Sequence, residues 1–216
     1  MNYNLEKVVV GDYEENCYIV IKDNDATIID PGFNYRKIVD FFDKNGITPS
    51  RIILTHGHID HISDIDKLSE KYKDIPIYIH EEDSDFLFDG YLNCSSHFGA
   101  TKTYPMTLNV IQVKGKEANI DGFKTYLTPG HTRGSMVIKI DDKLFTGDTL
   151  FAGSIGRSDL PTASESKLKE SLEFIKKSFS KSTTIYPGHY DMTTLKKEID
   201  SNPYLIKKRK GFFSKW

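Results

Sequence analysis

Residues 55–61, Thr-His-Gly-His-Ile-Asp-His, constrain this chain more than any other segment, because they place three imidazoles and one carboxylate in a single short loop. The loop follows residues 51–54, a short apolar run that is typical of a buried strand. Gly57 lets the backbone bend tightly just after that strand. A strand-end loop with this many nitrogen and oxygen ligands predicts a metal site rather than a polar surface loop.

Three later segments have the same layout of a strand, a glycine-containing turn and a polar residue. Because α/β sheets gather their ligand sites at the carboxyl ends of strands, we expect these polar residues to meet the first loop. A single histidine in such a place is more often structural, but the combination predicts one metal-binding constellation. Its members are His56, His58, Asp60, His61, His131, Asp148 and His189.

Apolar runs typical of strands alternate with amphipathic segments typical of helices along the chain. The pattern predicts strands over residues 5–10, 17–21, 26–29, 51–54, 77–79, 109–113, 123–127, 136–140, 143–146 and 184–186. It predicts helices over residues 35–44, 62–72, 81–88, 164–179 and 193–199. Strands followed by helices occur twice, which indicates an α/β fold of two similar halves in a single domain spanning residues 1–216.

The composition of the chain indicates which classes of partner are expected. The chain is 38% hydrophobic and 28% charged with a net charge of -2, so no basic field favours nucleic acid. No apolar run approaches the ~20 residues of a membrane helix, and residues 1–10 lack a signal-peptide layout, so we expect a cytoplasmic protein without a membrane partner. We interpret the basic run at residues 207–210 as a solvated tail, with phosphate or nucleic-acid contact as the alternative.

Two further features lie outside the histidine motif. Cys17 and Cys94 are expected to be packed or incidental thiols, since a disulfide is not expected in a reducing compartment. Residues 89–104 form a long, irregular and aromatic segment. We interpret it as a flap beside the active site, with surface decoration as the alternative.

The motifs resemble those of the metallo-β-lactamase fold hydrolases, and the resemblance covers nearly the whole chain. It implies an α/β, four-layer αββα sandwich in which two mixed sheets are flanked by helices. Residues 129–135, 151–161 and 187–189 are most similar to the glyoxalase II-type branch, whose members are hydroxyacylglutathione hydrolase-like. Longer members of that branch carry a C-terminal helical domain that supplies much of the glutathione site. Too few residues follow His189 to form such a domain, so glutathione recognition stays open.

The resemblance also implies two divalent metal ions with nitrogen and oxygen ligands only. The first would be held by His56, His58 and His131 and the second by Asp60, His61 and His189, with Asp148 bridging both. Zn²⁺ suits these ligands best, and Fe or Mn is also compatible. Asp60 is expected to act in catalysis as well, by orienting the nucleophile.

Two divalent ions that share a water lower its pKa from ~15.7 towards neutrality, so that hydroxide can attack a polarised carbonyl at pH 7. A thiolate, with a pKa of about 8.5 for a simple thiol, departs without a general acid. An amide nitrogen needs such an acid, and the sequence offers no obvious candidate. The predicted substrate is therefore a small-molecule thioester or a smaller ester, and the resemblance implies an S-hydroxyacylglutathione-like thioester.

Some alternatives stay open. Arg157 and Asp159 either support the metal loops or contact an anionic substrate. A mononuclear iron persulfide dioxygenase has the same fold, and it would leave the ligands of the second ion without metal. A nuclease would show a basic groove and an added nucleic-acid-binding module, which the sequence does not. A non-catalytic relative usually loses ligands, whereas this set is complete.

Overall fold

The computed structural model describes residues 4–10, 14–33 and 35–206. The strands in these ranges are β1 Asn4–Val10, β2 Glu15–Lys22, β3 Asp25–Ile29, β4 Pro49–Ile53, β5 Ile77–His80, β6 Val110–Val113, β7 Glu117–Ile120, β8 Phe123–Leu127, β9 Met136–Ile140, β10 Lys143–Gly147, β11 Leu150–Phe151, β12 Ser154–Ile155, β13 Thr184–Pro187 and β14 Thr193–Thr194. The α-helices are α1 Tyr35–Asn45, α2 Ile59–Ile62, α3 Ile65–Lys71, α4 Glu165–Ser178 and α5 Leu195–Ser201. Two 3₁₀ helices cover Glu81–Phe88 and Ser95–Phe98.

The strands form two six-stranded sheets and one short hairpin. The first sheet has the order β1-β2-β3-β4-β5-β6, and the second has the order β14-β13-β10-β9-β8-β7. Both sheets are mixed, since β3 to β6 run parallel in the first and β10 pairs parallel with β13 in the second. Strands β11 and β12 form the separate hairpin.

Strand β2 shows how the layers pack. Tyr18 and Val20 point from one face into the core between the two sheets, where the Tyr18 ring lies 5.2 Å from that of Phe145. Cys17 and Ile19 point from the other face into the core beneath α1 and α3. A strand buried on both faces is apolar at successive positions rather than at alternate ones. A third core joins the second sheet to α4 and α5, which completes the predicted αββα order.

The sheets place several strand ends at one edge. Met136 N donates to Thr55 O at 2.9 Å, which joins the loop after β4 to the second sheet. Gly188 N donates to Gly147 O at 2.9 Å, so the loops after β13 and β10 lie side by side. Asn16 N donates to Gly188 O at 2.7 Å and connects β2 to the same edge. The loops that follow β4, β10 and β13 therefore meet in three dimensions.

Some predictions of secondary structure were wrong in detail. The helix predicted over 62–72 is interrupted between α2 and α3, because Asp64 N donates to Gly32 O at 2.9 Å and its carboxylate accepts from Tyr35 N. The helix predicted from residue 193 begins at Leu195, because Thr193–Thr194 pairs with β13. Strand β7 and the β11–β12 hairpin were not predicted at all.

Three further expectations concern the cysteines, membrane helices and the basic run. Cys17 and Cys94 are both buried and free of a disulfide, as expected. No helix in the described ranges has the length and apolarity needed to cross a membrane. The basic run at 207–210 and the first three residues lie outside the described residues.

Candidate metal centre

The structure brings all seven predicted ligands together at the shared edge of the two sheets. Ligand atoms within 4.8 Å of one another form overlapping groups of three. One group, called here the first triad, is His56, His58 and His131. Another, called here the second triad, is Asp60, His61 and His189. A third group contains Asp148 with one histidine from each triad, His56 and His61.

The imidazoles of the first triad face one another. His58 Nδ1 lies 2.9 Å from His131 Nε2. The ring of His56 stands 4.8 Å from each of the other two, measured between centroids and nearly at right angles. Three nitrogen atoms thus converge on one small volume, which is the arrangement that a tetrahedral metal ion requires.

Asp148 lies between the triads. Its Oδ1 is 3.3 Å from His61 Nε2, and its Oδ2 is 3.5 Å from His131 Nε2 and 3.6 Å from His189 Nε2. Asp60 Oδ2 closes the second triad at 3.3 Å from His189 Nε2 and 3.8 Å from His61 Nε2. The two oxygens of Asp148 therefore face ligands of both triads.

The donor atoms of the cluster fit a pair of divalent cations. His56 and His61 each have a buried Nε2 atom, and Asp148 a buried Oδ1 atom, without a hydrogen-bond partner in the described part of the chain. Leaving such atoms buried and unpaired is costly. Imidazole nitrogen and carboxylate oxygen are ligands that divalent transition metals accept readily.

The outer nitrogen of several imidazoles is held by a neighbour. His61 Nδ1 donates to Asp30 Oδ2 at 3.0 Å, and His131 Nδ1 donates to the main-chain carbonyl of Arg157 at 2.9 Å. His56 Nδ1 lies 3.1 Å from Thr55 Oγ1. Such outer contacts fix the ring orientation and direct the opposite nitrogen inward.

Asp30 was not among the predicted site residues, although its carboxylate contacts the cluster. Its Oδ1 accepts from Thr55 N at 2.7 Å, and its Oδ2 accepts from Thr55 Oγ1 at 2.6 Å as well as from His61. It follows the end of β3 directly and precedes Pro-Gly. That is the same strand-end signal that identified the ligands, so the sequence could have shown it.

Asp83 links the loops of the first triad and had no signal in the sequence. It is fully buried in the 3₁₀ helix Glu81–Phe88. Its carboxylate accepts from Gly57 N at 3.1 Å, Gly134 N at 2.7 Å and Thr132 Oγ1 at 2.6 Å. Burial raises its pKa to about 6, although these hydrogen bonds lower it. One carboxylate thus joins the loop of His56 and His58 to the loop of His131.

Two glycines let this 3₁₀ helix approach the ligand loops. A Cβ atom at Gly57 would lie 2.6 Å from the Phe86 side chain, and one at Gly134 would lie 2.6 Å from Asp83 Oδ1. Both distances are shorter than van der Waals contact. The absence of a side chain at these two positions is therefore part of the site.

Glu15 was also not predicted, and it lies against the second triad. Its side chain is fully buried, and Oε1 is 3.7 Å from His61 Nδ1. Neither of its carboxylate oxygens has a hydrogen-bond partner within the described ranges. Burial holds the pKa of Glu15 well above its ordinary value.

The carboxylates favour a positive charge at the centre of the cluster. Burial alone would lower the pKa of His61, but Asp148, Asp60 and Asp30 hold it well above its usual range. Burial and the neighbouring imidazoles instead hold the pKa of His56 well below normal. The electrostatic field that raises the pKa of His61 is also the field that would stabilise a bound cation.

A cavity of about 920 Å³ opens onto this cluster. The segment 89–104 lines it with Tyr91 and His97, whose rings are 6.0 Å apart. Phe151 and Tyr190 line it from another side, with their rings 5.4 Å apart. The segment 89–104 thus lies beside the cluster, as the flap interpretation expects.

Arg157 and Asp159 lie at the rim of this cavity. Arg157 Nε is 2.9 Å from Asp159 Oδ1, and both side chains are 68% exposed. Support for the metal loop comes from the main-chain carbonyl of Arg157, not from this ion pair. The side chains are free to meet a ligand in the cavity.

Comparisons with known proteins agree with this geometry. A family model described as the metallo-beta-lactamase superfamily matches residues 10–189. The probable metallo-hydrolase YqgX of Bacillus subtilis is 36% identical over 204 residues, which cover 92% of this chain and 96% of that protein. The hydroxyacylglutathione hydrolase GloC of Haemophilus influenzae is 30% identical, with 95% of this chain and 99% of GloC covered.

Two solved structures are similar in both sequence and shape. The BLEG-1 B3 metallo-beta-lactamase is 31% identical with a TM-score of 0.87, and the match covers 94% of this chain and 100% of that one. TTHA1623, solved in a di-iron-bound form, is 33% identical with a TM-score of 0.83, and the match covers 93% of this chain and 100% of that one.

Proposed function

This chain belongs to the metallo-β-lactamase superfamily, and we propose that this metallo-hydrolase cleaves thioesters at a binuclear metal centre. The observation that carries the proposal is Asp148, whose two oxygens face ligands of both triads. A site for one ion would need only the first triad. The second triad is equally close-packed, and its ligand atoms also lie within 4.8 Å of one another.

The first triad would hold one ion and the second triad the other, with Asp148 shared. When bound, the two ions supply a water of lowered pKa and a Lewis acid for the carbonyl. Zn²⁺ suits the ligands, and the di-iron form of TTHA1623 makes iron the alternative. The hydrogen bonds that His61 donates to Asp30 and that His131 donates to the Arg157 carbonyl orient these two imidazoles before either ion binds.

Asp60 is the proposed catalytic residue of the chain itself. It lines the cavity, and its side chain is 22% exposed, so it reaches the space that a substrate would enter. One of its oxygens already faces His61 and His189. The other can accept a hydrogen bond from the attacking water and so direct it to the carbonyl carbon.

A thioester fits better than an amide, because a thiolate departs without a general acid. The cavity lies at the upper end of the 300–1,000 Å³ that is usual for small-molecule sites, which leaves room for a peptide-sized thiol. GloC supports S-acylglutathione in particular, since a protein named a hydroxyacylglutathione hydrolase is matched over 99% of its length. We therefore propose S-hydroxyacylglutathione-like thioesters as substrates.

The test combines metal analysis with a substrate panel. Protein loaded with zinc or with iron is assayed against S-lactoylglutathione, a simple thioester, a phenyl ester and a β-lactam. We expect two ions per chain and fastest turnover of a thioester. Asp60→Asn should abolish that turnover, whereas Asp200→Asn, on the exposed side of α5, should not.

Failure of the metallated protein to hydrolyse any thioester would overturn the proposal. A single iron per chain together with oxygen uptake on glutathione persulfide would support the dioxygenase instead. Hydrolysis of the β-lactam alone would assign the chemistry of BLEG-1 to this chain.

A further inference from the structure

The ligands of the second triad come from both halves of the fold. His61 lies in α2, which follows the loop after β4, and His189 follows β13. Both lie against the first two residues of β2, Glu15 and Asn16. Nothing in the strand-end pattern that identified the ligands includes this position.

The main chain of β2 holds the loop of His189. Glu15 pairs with His189 in an isolated antiparallel bridge, and Asn16 N donates to Gly188 O at 2.7 Å. The Asn16 side chain donates to Pro187 O at 3.0 Å and to Tyr190 O at 2.8 Å. Four consecutive residues around the ligand are therefore fixed by two residues of β2.

The side chain of Glu15 turns to the other histidine. Its Oε1 is 3.7 Å from His61 Nδ1, beside the 3.0 Å hydrogen bond that this nitrogen makes to Asp30. A buried carboxylate with no donor is costly unless a positive charge lies nearby. Asp30 accepts hydrogen bonds from Thr55 and His61, whereas neither carboxylate oxygen of Glu15 has a hydrogen-bond partner among the residues described. A cation in the adjacent site would compensate its charge.

We infer that Glu15 is a positioning residue of the second metal site. Its main chain holds the loop of His189, and its carboxylate keeps His61 directed inward and adds negative charge next to the second ion. The inference rests on the two-ion centre proposed above and extends it to a residue that binds neither ion. Outer-shell partners of this kind typically affect metal affinity by 10- to 100-fold.

The experiment measures stepwise zinc affinities by competition with a chromophoric chelator, so it does not depend on activity. Glu15→Gln keeps the size of the side chain and removes its charge, and Glu15→Asp keeps the charge. Glu14→Gln is the matched control, because Glu14 is the same residue type one position earlier but exposed. Circular dichroism of each metal-free variant shows whether it is folded.

For Glu15→Gln we expect a 10- to 100-fold weaker second ion, with the first ion unchanged within twofold. Glu15→Asp should retain more second-ion affinity than Glu15→Gln, and Glu14→Gln should match the original chain. A second ion that binds Glu15→Gln as tightly as the original chain would overturn the inference alone. Equal weakening of both ions would also overturn it, since it would indicate a general structural role. If the original chain binds a single ion, both this inference and the proposed binuclear function fail.

Discussion

The two metal triads differ in what holds their ligands. Beside the first triad, the Asp83 carboxylate accepts hydrogen bonds from Gly57, Thr132 and Gly134. Both of its oxygens are therefore hydrogen-bonded, and they connect the two ligand loops. Around the second, Glu15 lies next to an imidazole and makes no such hydrogen bond within the described ranges. The buried carboxylate beside the first triad therefore acts through hydrogen bonds, whereas the one beside the second triad acts through its charge. Loss of Asp83 should disturb the metal-free fold, whereas loss of the Glu15 charge should have its main effect when an ion is bound.

The largest effect should come from removing the residue that the two sites share. Asp148→Ala should lose the second ion and lower kcat/KM by more than ~100-fold, because a direct ligand matters more than an outer partner. Metal content by mass spectrometry and thioester kinetics measure both. Asp200→Asn serves as the control, being an exposed aspartate of α5. Two ions retained in Asp148→Ala would contradict the bridging role.

The next effect separates the first site from the second. Asp83→Ala leaves the buried N–H groups of Gly57 and Gly134 without an acceptor, which should cost about 3 kcal/mol of unfolding free energy in the metal-free protein. It should also weaken the first ion more than the second, the reverse of Glu15→Gln. Urea unfolding and stepwise metal titration test this.

Asp85→Asn is the matched control for Asp83→Ala, since Asp85 belongs to the same 3₁₀ helix but is 53% exposed and pairs with Arg133. It should change stability by less than about 1 kcal/mol. An equal loss of both ions in Asp83→Ala would remove the distinction between the two sites.

A pH experiment sharpens the same comparison. The pKa of Asp83 is about 6 in the folded protein against 3.8 for an ordinary aspartate, so the folded state binds its proton more tightly. The stability this contributes is present below pH 4 and is lost as the pH rises through about 6, up to about 3 kcal/mol. The unfolding free energy of the metal-free chain minus that of Asp83→Asn should therefore fall from pH 4 to pH 7. A difference that stays flat over this range would show that Asp83 ionises normally.

The smallest effect is expected at the rim of the cavity. Arg157→Gln removes an exposed ion pair and keeps the main-chain carbonyl that holds His131, so stability should change by less than about 1 kcal/mol and metal content not at all. If the guanidinium meets an anionic substrate, KM should rise several-fold for a thioester bearing a carboxylate and stay constant for a neutral one. A loss of metal in this variant would show instead that the side chain supports the metal loop.

The meeting of the seven predicted ligands was visible in the sequence because their segments each follow the end of a strand, and such strand ends meet wherever the sheets align. Asp30 gave the same local signal. Asp83 did not, since it stands among Glu81, Glu82 and Asp85 in a short acidic segment and only its tertiary neighbours distinguish it. Glu15 follows another glutamate and differs from it only in burial.

The layers of the fold could be predicted from local apolar patterns, whereas some helix and strand boundaries depend on contacts that no local pattern shows. Long apolar runs report burial on both faces of a strand, whatever their partners are. The break between α2 and α3 arises from a hydrogen bond between Asp64 and Gly32. These residues are far apart in the sequence, so no local pattern contains the contact. Strand β7 has four residues, of which two are polar and only Ile120 is buried, so it lacks the apolar signal of the central strands.

The close packing around Gly57 and Gly134 has a consequence for which positions of this protein can change in sequence. A side chain at either position would clash with the 3₁₀ helix Glu81–Phe88, so we expect little change in sequence where this helix packs against the ligand loops. Tyr91 and Tyr190 line the cavity beside the same cluster and are 62% and 67% exposed. Exchange of those two rings should therefore change which ligands fit the cavity while the cluster itself stays the same.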